Sequence, residues 1–409
     1  MRSLIKGLSF LLLLLFFSCR NYDSVNLFPV SNNEGKYGFI DQSGKLAISY
    51  NFDFAHRFFD NRALVLMEGK AYYINKKGKI LFEASIEPKR RLKTSNVLGG
   101  SIDITYDKDS FIKISDIYFF QEGLAAYYDT TLRAFGYINT KGNIIIESKF
   151  FEVNRFSEGL AAVKLKDTLT TNSTLPTFES EYNNIKYGYI NSTGNFVIDP
   201  IFHFASDFSN GKAFVNIQAD DRRTNTGISI DTDGYVINKE GQTLSPNIKN
   251  TIAWNYSEGF LPAYNFIINL FFSRGYFFID SSYNHYPIFE GEKIFFKDIT
   301  TFSDGIAGVL IDTSWLVVDT KMNVITEEKF SNVKACTEGL MPVKKGNKWI
   351  YLNTVGLYAF DLEFDSCNKF FDRLAYVETY ENNSTIKGYI NRKGEYVWQN
   401  IILNKKVRY

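Results

Sequence analysis

The chain has 409 residues, of which 45% are hydrophobic, 22% charged and 17% aromatic, with 46 basic against 45 acidic side chains. This is the composition of a folded globular protein and excludes a disordered one. The near-neutral charge gives no electrostatic basis for binding nucleic acid. The abundance of Phe and Tyr favours β-strands, because aromatic side chains suit a half-buried pleated surface.

The N-terminus has the layout of a secretion signal. Arg2 and Lys6 precede an apolar run, Leu8–Phe17, which is too short to span a bilayer comfortably. We therefore expect residues 1–18 to be a signal peptide and exclude them from the fold.

The signal ends in Ser18-Cys19, which resembles the lipobox of bacterial lipoproteins, with Phe16 where Leu is usual. The resemblance implies that Cys19 is lipidated and anchors the protein stably, with residues 19–26 as a short tether. The alternatives are an ordinary secretory signal and an uncleaved anchor. Because Arg20 rather than Asp follows the cysteine, we expect the outer membrane of the cell envelope rather than the inner membrane.

Beyond the tether, a short phrase of aromatic or apolar residues ending in Asp or Asn recurs along the chain. The nine copies are Phe39-Ile40-Asp41, Tyr73-Ile74-Asn75, Tyr137-Ile138-Asn139, Tyr189-Ile190-Asn191, Val236-Ile237-Asn238, Phe278-Ile279-Asp280, Val317-Val318-Asp319, Tyr351-Leu352-Asn353 and Tyr389-Ile390-Asn391. In seven copies a Gly lies three residues after the Asp or Asn, as Gly44 does after Asp41. An Asx side chain that bonds to the following amides, with a Gly free to take positive φ, predicts a β-hairpin.

A second phrase alternates with the first. Its clearest copy is Phe156-Ser157-Glu158-Gly159-Leu160-Ala161, and it predicts a loop followed by a third strand. Successive units are 34 to 64 residues apart, so the longer steps carry insertions.

The two phrases together resemble the WG repeat family. The Trp-Gly or Tyr-Gly pair that opens each unit of that family has counterparts in Tyr37-Gly38, Phe135-Gly136 and Tyr187-Gly188, while Trp315 and Trp349 keep the Trp without the Gly. The resemblance covers nearly all of the chain after residue 26. It implies repetition and a binding role, and it implies no reaction.

The predicted fold is an all-β tandem array of about nine three-stranded antiparallel units over residues 27–409. One such unit cannot bury both of its faces, so neighbouring units must stack. We expect an open superhelical stack rather than a closed propeller, because closed propellers usually have about four to eight blades. A propeller-like ring and two stacked sub-arrays are the alternatives.

Four insertions interrupt the array, near residues 85–117, 166–186, 217–227 and 266–274. Insertions in repeat proteins tend to gather on one face, often the binding face, so we expect them to surround a ligand surface. Tolerated surface variation is the alternative.

No residues are predicted to be catalytic, to bind a cofactor or to ligate a metal. The three histidines, His56, His203 and His285, lie in separate units, and the recurrent Asp, Asn and Glu side chains are expected to cap turns. Cys336 and Cys367 could form one disulfide or remain two buried thiols.

The sequence thus predicts a non-catalytic bacterial lipoprotein that serves as a scaffold for a protein, peptide or glycan. Its membrane contact would be the lipid on Cys19. The alternative is a hydrolase on a propeller-like scaffold, which would require acids from several units to converge.

Overall fold

The computed structural model describes residues 26–87, 115–165, 186–218, 222–224, 227–229, 232–249, 251–265, 275–286, 288–289, 292–293, 295–381 and 383–403. In these residues the fold is all-β, as predicted, and every strand pairing is antiparallel. The predicted signal peptide and Cys19 lie outside the described residues.

The strands form successive sheets along the chain. The first sheet holds β1 (Phe28–Ser31), β2 (Tyr37–Ile40) and β3 (Leu46–Phe52), and the second holds β4 (Phe54–Ala55), β5 (Ala63–Met67), β6 (Lys70–Ile74) and β7 (Ile80–Glu83). After a 3-10 helix at Asp116–Tyr118, the third sheet holds β8 (Leu124–Asp129), β9 (Ala134–Asn139), β10 (Ile144–Val153), β11 (Leu160–Leu165), β12 (Tyr187–Asn191) and β13 (Phe196–Phe202).

Five further sheets follow. The fourth holds β14 (Phe204–Ala205) and β15 (Ala213–Gln218), then, after the separate hairpin β16 (Arg222–Thr224) and β17 (Gly227–Ser229), β18 (Thr232–Ile237) and β19 (Ile248–Lys249). The fifth holds β20 (Thr251–Ala253), β21 (Leu261–Asn265), β22 (Gly275–Ile279) and β23 (His285–Tyr286), and β24 (Ile288–Phe289) pairs with β25 (Glu292–Lys293) beside it. The sixth sheet holds β26 (Asp298–Ile299), β27 (Ile306–Ile311) and β28 (Ser314–Asp319), and the seventh holds β29 (Asn332–Val333), β30 (Leu340–Lys345) and β31 (Lys348–Asn353). The eighth holds β32 (Ser366–Cys367), β33 (Leu374–Glu381), β34 (Ser384–Asn391) and β35 (Tyr396–Leu403).

The hairpin turns form as the sequence predicts. Asp41 accepts hydrogen bonds at one carboxylate oxygen from the backbone N–H groups of Ser43 and Lys45, at 2.9 and 3.1 Å. Gly44 follows with a φ of +84°. Asn75, Asn139 and the later copies cap their turns in the same way, so the predicted turn role of these residues is confirmed.

The Gly of the Tyr-Gly pair is required by close packing of neighbouring strands. A Cβ at Gly38 would lie 2.5 Å from the carbonyl oxygen of Ile48 on β3, and one at Gly136 would lie 2.4 Å from that of Ile146 on β10. These glycines therefore allow the Tyr-Gly strand to lie close to the bent strand after it.

The predicted open stack of nine three-stranded units is wrong, because the described sheets close into a ring, an eight-bladed β-propeller. Phe28, Val30 and Ile40 of the first sheet share a buried cluster with Leu374 and Tyr389 of the last. These contacts join the two ends of the array.

Hydrogen bonds also cross this seam between the chain ends. The Tyr389 hydroxyl donates to the Pro29 carbonyl at 3.0 Å, and the Asn400 amide donates to the Ser31 carbonyl at 3.0 Å. Asn26, at the end of the predicted tether, donates to the Asp372 carboxylate. The first sheet is thus held by the last one, which an open stack cannot do.

Nine phrases occupy eight sheets because two of them share the six-stranded sheet. Several units are joined where the chain bends and passes to the next sheet, with a one-residue break at Asp53 between β3 and β4 and at His203 between β13 and β14. In β10 the same bend occurs without a break, since Phe150 pairs with both Phe135 on one side and Leu165 on the other. Sheets consequently hold three to six strands rather than a uniform three.

The strand order defines two faces of the ring. The Glu-Gly phrases lie at one end of the strands, on what we call the loop face, and the turns between β1 and β2, β5 and β6, and their counterparts lie at the other end, the turn face. Three of the predicted insertions lie between paired strands whose connection falls on the turn face: β11–β12, β15–β18 and β21–β22. Most residues of the insertions, including 88–114, lie outside the described residues.

Candidate binding face at the centre of the ring

The Glu-Gly loops form a connected ring on the loop face. They comprise residues 56–62, 119–123, 154–159, 206–212, 254–260, 300–305, 334–339 and 368–373. The Glu122 carboxylate accepts hydrogen bonds from the backbone N–H groups of Glu158 and Gly159 in the next loop, at 2.6 and 2.8 Å. Equivalent bonds join Asp60 to Gly123, Glu158 to Gly211, Glu258 to Gly305, Asp304 to Gly339 and Glu338 to Arg373.

These acids are therefore structural. Each accepts from a neighbouring loop, and Glu122, Glu158, Glu258 and Glu338 have φ values between +51° and +54° at the tight turn. This agrees with the expectation that they belong to turns. The Glu122 carboxylate, which accepts from two backbone N–H groups, is thereby fixed against the next loop.

Buried tyrosines of the first phrase also hold these loops, through hydrogen bonds from the sheets. Tyr189 is fully buried, and its hydroxyl donates to the Ser206 carbonyl at 2.8 Å. Tyr137 and Tyr351 donate in the same way to the loop carbonyls of Asn154 and Asn368. Tyr73 donates to the Tyr118 carbonyl just before its loop, whereas Tyr389 donates to the Pro29 carbonyl on β1. The loop backbones are thus held in position by the sheets, which leaves their outward side chains free to vary.

The residue just before the aromatic or Cys side chain that opens each Glu-Gly phrase occupies what we call a central position. These central positions are Arg57, Phe119, Arg155, Asp207, Asn255, Thr301, Ala335 and Lys369. Charges at these positions interact between units: Arg57 with Arg155 and Lys369, and Arg155 with Asp207. Arg57 contacts Phe371 of the last sheet, with 4.2 Å between its guanidinium carbon and the ring centroid, although the first sheet lies between their units. The central positions of different units therefore approach one another.

Asp207 is the most enclosed charged group at the centre. The Asn154 amide donates to its carboxylate at 2.9 Å, and the neighbouring Arg155 pairs with Asp116 at 3.3 Å. Burial raises the pKa of Asp207, and the Asn154 amide, Arg155 and the Asn255 amide only partly oppose this. A carboxyl group with a perturbed pKa that faces a cluster of polar side chains is a candidate for ligand contact.

Arg57 and the neighbouring aromatic rings form a second cluster in the Glu-Gly loops. The Arg57 guanidinium lies 4.7 Å from the Phe59 ring centroid as well as beside Phe371, and Phe59 stacks on Phe119 with 4.8 Å between centroids. Desolvation, and then the charges of Arg57 and Lys334, lower the pKa of Lys369. The loop face thus combines positive charge with accessible aromatic surface.

Sequence reasoning did not identify the central positions. One signal could have found them. The central position changes its residue type from unit to unit, although the strand before it and the aromatic side chain after it recur. Repetition drew attention to the recurring acids, which the structure places in turns, whereas the candidate binding residues are those that do not recur.

The other residues considered in the sequence are distributed over the ring. His56 packs between Phe54 and Phe119, His203 occupies the break before β14, and His285 lies against Phe277. The three histidines belong to separate sheets, as expected.

Cys336 and Cys367 are both buried and free, which decides between the two alternatives left open by the sequence. Burial raises the pKa of the Cys336 thiol to about 12 and that of Cys367 to about 11. Both thiols therefore remain protonated and unreactive at neutral pH.

Metal-ligating clusters and membrane-spanning helices are both absent from the described part of the chain. No group of three or more His, Cys, Asp or Glu side chains there has an arrangement that could hold a metal ion. None of the helices within it is both long and apolar enough to cross a membrane.

Comparison with known proteins supports the repeat. Residues 37–70, 135–168, 187–218 and 317–349 match the family model described as WG containing repeat. WG repeats are therefore present at four of the nine predicted copies. No curated protein matches the chain.

Solved structures resemble the ring only distantly. Apo AztD from Citrobacter koseri is 8% identical with a TM-score of 0.41 and covers 93% of this chain and 95% of its own. The uncharacterized protein lmo1340 from Listeria monocytogenes EGD-e is 11% identical with a TM-score of 0.35, covering 63% and 83%. TolB from Acinetobacter baumannii is 10% identical with a TM-score of 0.28, covering 85% and 80%. Similarity at this level assigns no function.

Proposed function

We propose that this protein is a lipid-anchored, non-catalytic binding scaffold of the bacterial cell envelope, and that it binds a protein, peptide or glycan at the centre of the loop face. The anchor would be the lipid on Cys19, in the outer membrane. The lipobox-like Ser18-Cys19 pair supports the anchor, and the propeller of WG-type repeats supports the scaffold.

One observation carries the proposal. The loops are fixed by bonds between neighbours, such as that from Gly159 to Glu122, and by buried tyrosines such as Tyr189. On this fixed frame the central positions present cations, an acid, an amide and aromatic rings. A rigid frame with varied side chains is the arrangement expected of a recognition surface.

The test is a pull-down from cross-linked cell envelope. The native protein should capture a reproducible partner, and the double variant Arg57→Gln, Lys369→Gln should lose it. The matched control is Lys249→Gln, Lys329→Gln, which removes two exposed cations outside the Glu-Gly loops. Equal capture by all three proteins would overturn the assignment of the loop face.

The anchor is tested separately. Cys19→Ala should abolish labelling by a fatty-acid analogue and move the protein from the membrane fraction to the soluble fraction of the envelope. Unchanged labelling would overturn lipidation at Cys19. Turnover of glycoside, ester or peptide substrates that is lost with Asp207→Asn would instead favour the hydrolase alternative.

A further inference from the structure

A cleft lies on the turn face where the two ends of the chain meet. It has a volume of about 300 Å³ and is lined by Asn32, Asn33, Glu34, Tyr50, Trp398, Gln399 and Asn400. The first three residues belong to the turn between β1 and β2, Tyr50 lies on β3, and the last three lie on β35. The volume is at the lower end of the range of small-ligand sites.

The walls of the cleft are fixed by hydrogen bonds to the backbone. Asn32 accepts from the backbone N–H groups of Glu34 and Lys36 at 3.1 and 3.0 Å, which shapes the turn. Asn400 donates to the Ser31 carbonyl at 3.0 Å, which holds β35 against β1. The cleft is therefore already formed before a ligand enters, which reduces the entropy cost of binding.

Two aromatic side chains supply apolar surface. Tyr50 and Trp398 are both half-buried and pack against the cluster that closes the ring. The Trp398 ring lies 6.4 Å from the Tyr389 ring, measured between centroids. Packing against Tyr389 therefore restrains the orientation of Trp398. Each ring can offer an apolar surface to a ligand while its polar atom reaches a hydrogen-bond partner.

The polar groups of the cleft are mainly amides. Asn33 and Gln399 are exposed, and in the described residues neither side chain has a hydrogen-bond partner. A primary amide carries two donors and an acceptor that accepts twice, which matches adjacent hydroxyl groups that also donate and accept. Planar amides beside aromatic faces therefore suit a ring that bears several hydroxyls.

The charge of the residues that line the cleft disfavours an anionic ligand. Glu34 is the one charged residue among those that line it. The nearby Lys36 ammonium is paired with Asp53 at 2.6 Å. Because none of the residues that line the cleft carries a positive charge that could neutralise a carboxylate or a phosphate, this lining favours an uncharged polar molecule.

We propose that this cleft is a binding site for a neutral saccharide, with a sugar ring placed against Trp398 and Tyr50 and its hydroxyls bonded to Asn33, Gln399 and Glu34. The site goes beyond the function proposed above, because it lies on the opposite face from the central positions. Three predicted insertions leave from the same turn face.

The test uses the full chain and three neutral probes, cellohexaose, hexa-N-acetylchitohexaose and maltohexaose. Binding is measured by tryptophan fluorescence and by saturation-transfer NMR. At least one probe should bind, and Trp398→Ala should weaken it by about tenfold or more, the effect of losing one aromatic contact. Gln399→Ala removes an exposed amide without touching the core and should weaken the same probe.

Two controls make the outcome decisive. Trp254→Ala removes an exposed tryptophan that stacks on Tyr276 of the fifth sheet, away from the cleft, and should leave saccharide affinity unchanged. A uronic-acid oligomer should bind no more tightly than the neutral probes. Binding of none of the three probes, or equal affinity in native protein, Trp398→Ala and Gln399→Ala, would overturn the proposal while leaving the loop-face function untouched.

Discussion

Asp207 should leave a measurable signature in the pH dependence of stability. Its pKa in the folded protein is raised above the ordinary value of 3.8, mainly by burial. Between 3.8 and the raised pKa, the folded state therefore binds more protons than the unfolded state, and the free energy of unfolding falls as pH rises.

The variant Asp207→Asn lacks this titration. As pH rises from about 4 to about 7, its free energy of unfolding should increase relative to that of the native protein, because only the native protein loses this contribution. Urea unfolding at a series of pH values measures the difference. Parallel curves for the two proteins would show that the Asp207 pKa is not raised.

Tyr189→Phe tests how firmly the sheets hold the Glu-Gly loops. The change removes the hydroxyl that donates to Ser206 and leaves a buried carbonyl without its partner. We expect the free energy of unfolding to fall by about 1–3 kcal/mol. Tyr396→Phe is the control, because the Tyr396 side chain is 37% exposed, and denaturant unfolding should show almost no effect. Equal losses in both variants would contradict the assigned role.

At the scale of single residues, the sequence identified those whose role is local. Asp41 and Asn75 cap turns within four residues, and such turn chemistry can be predicted from spacing alone. Asp207 escaped notice because its environment comes from Asn154, Asn255 and Arg155, which belong to other units or loops. The raised pKa of such a carboxyl group depends on how the units pack together, and no local sequence pattern predicts it.

At the scale of strands, the Tyr-Gly pair can be tested directly. A Cβ at Gly188 would lie 2.7 Å from the Ile198 carbonyl oxygen and 2.8 Å from the Pro200 nitrogen, so Gly188→Ala forces two backbones apart. We expect a loss of about 3 kcal/mol in the free energy of unfolding, at the upper end of overpacking costs.

The control for this substitution is Gly346→Ala. Gly346 has a φ of +58°, and no atom lies within 4 Å of the position that a Cβ would occupy, so only backbone strain opposes the change. Its cost should be about 1 kcal/mol. If the two variants lose equal stability by denaturant unfolding, close strand packing is not the reason for the Gly in the Tyr-Gly pair.

Hairpins were predictable because their signals lie within ten residues, and seven of the nine predicted hairpins join paired strands. After Asp319 and Asn353 the turn forms, but in the described residues only isolated bridges follow it. The bend that links one unit to the next was not predictable. Asp53, Phe151 and His203 occupy the same place in three units, yet only Phe151 lies within an unbroken strand. A Phe precedes the bend in all three units, as Phe52, Phe150 and Phe202, but no residue type is shared at the bend itself. The sequence therefore does not distinguish the two broken strands from the unbroken one.

At the scale of the whole molecule, counting phrases gave the wrong architecture. Nine copies exceed the usual number of propeller blades, but Phe150 joins two of them in one sheet through the unbroken β10. Closure also depends on contacts between residues at opposite ends of the chain, such as Tyr389 with Pro29. A repeat pattern describes neighbours in sequence and carries no information about where the first and last units meet.

The ring makes a final prediction about how stability is shared. Val30 on β1 is 1% exposed and packs with Leu374 and Tyr389 in the seam cluster. Val30→Ala should lower the free energy of unfolding by about 2 kcal/mol through the cavity that it leaves. In a closed ring the same change should also speed hydrogen exchange in β34 and β35, at the opposite end of the chain.

Val309→Ala is the matched control, because Val309 is 0% exposed but belongs to a cluster on β27 away from the seam. It should destabilise the protein by a similar amount, about 2 kcal/mol, without preferential exchange in the last sheet. If Val30→Ala affects β34 and β35 no more than Val309→Ala does, the two ends of the chain do not stabilise each other. A preferential effect would instead show that the first sheet stabilises the last, as the contacts across the seam require.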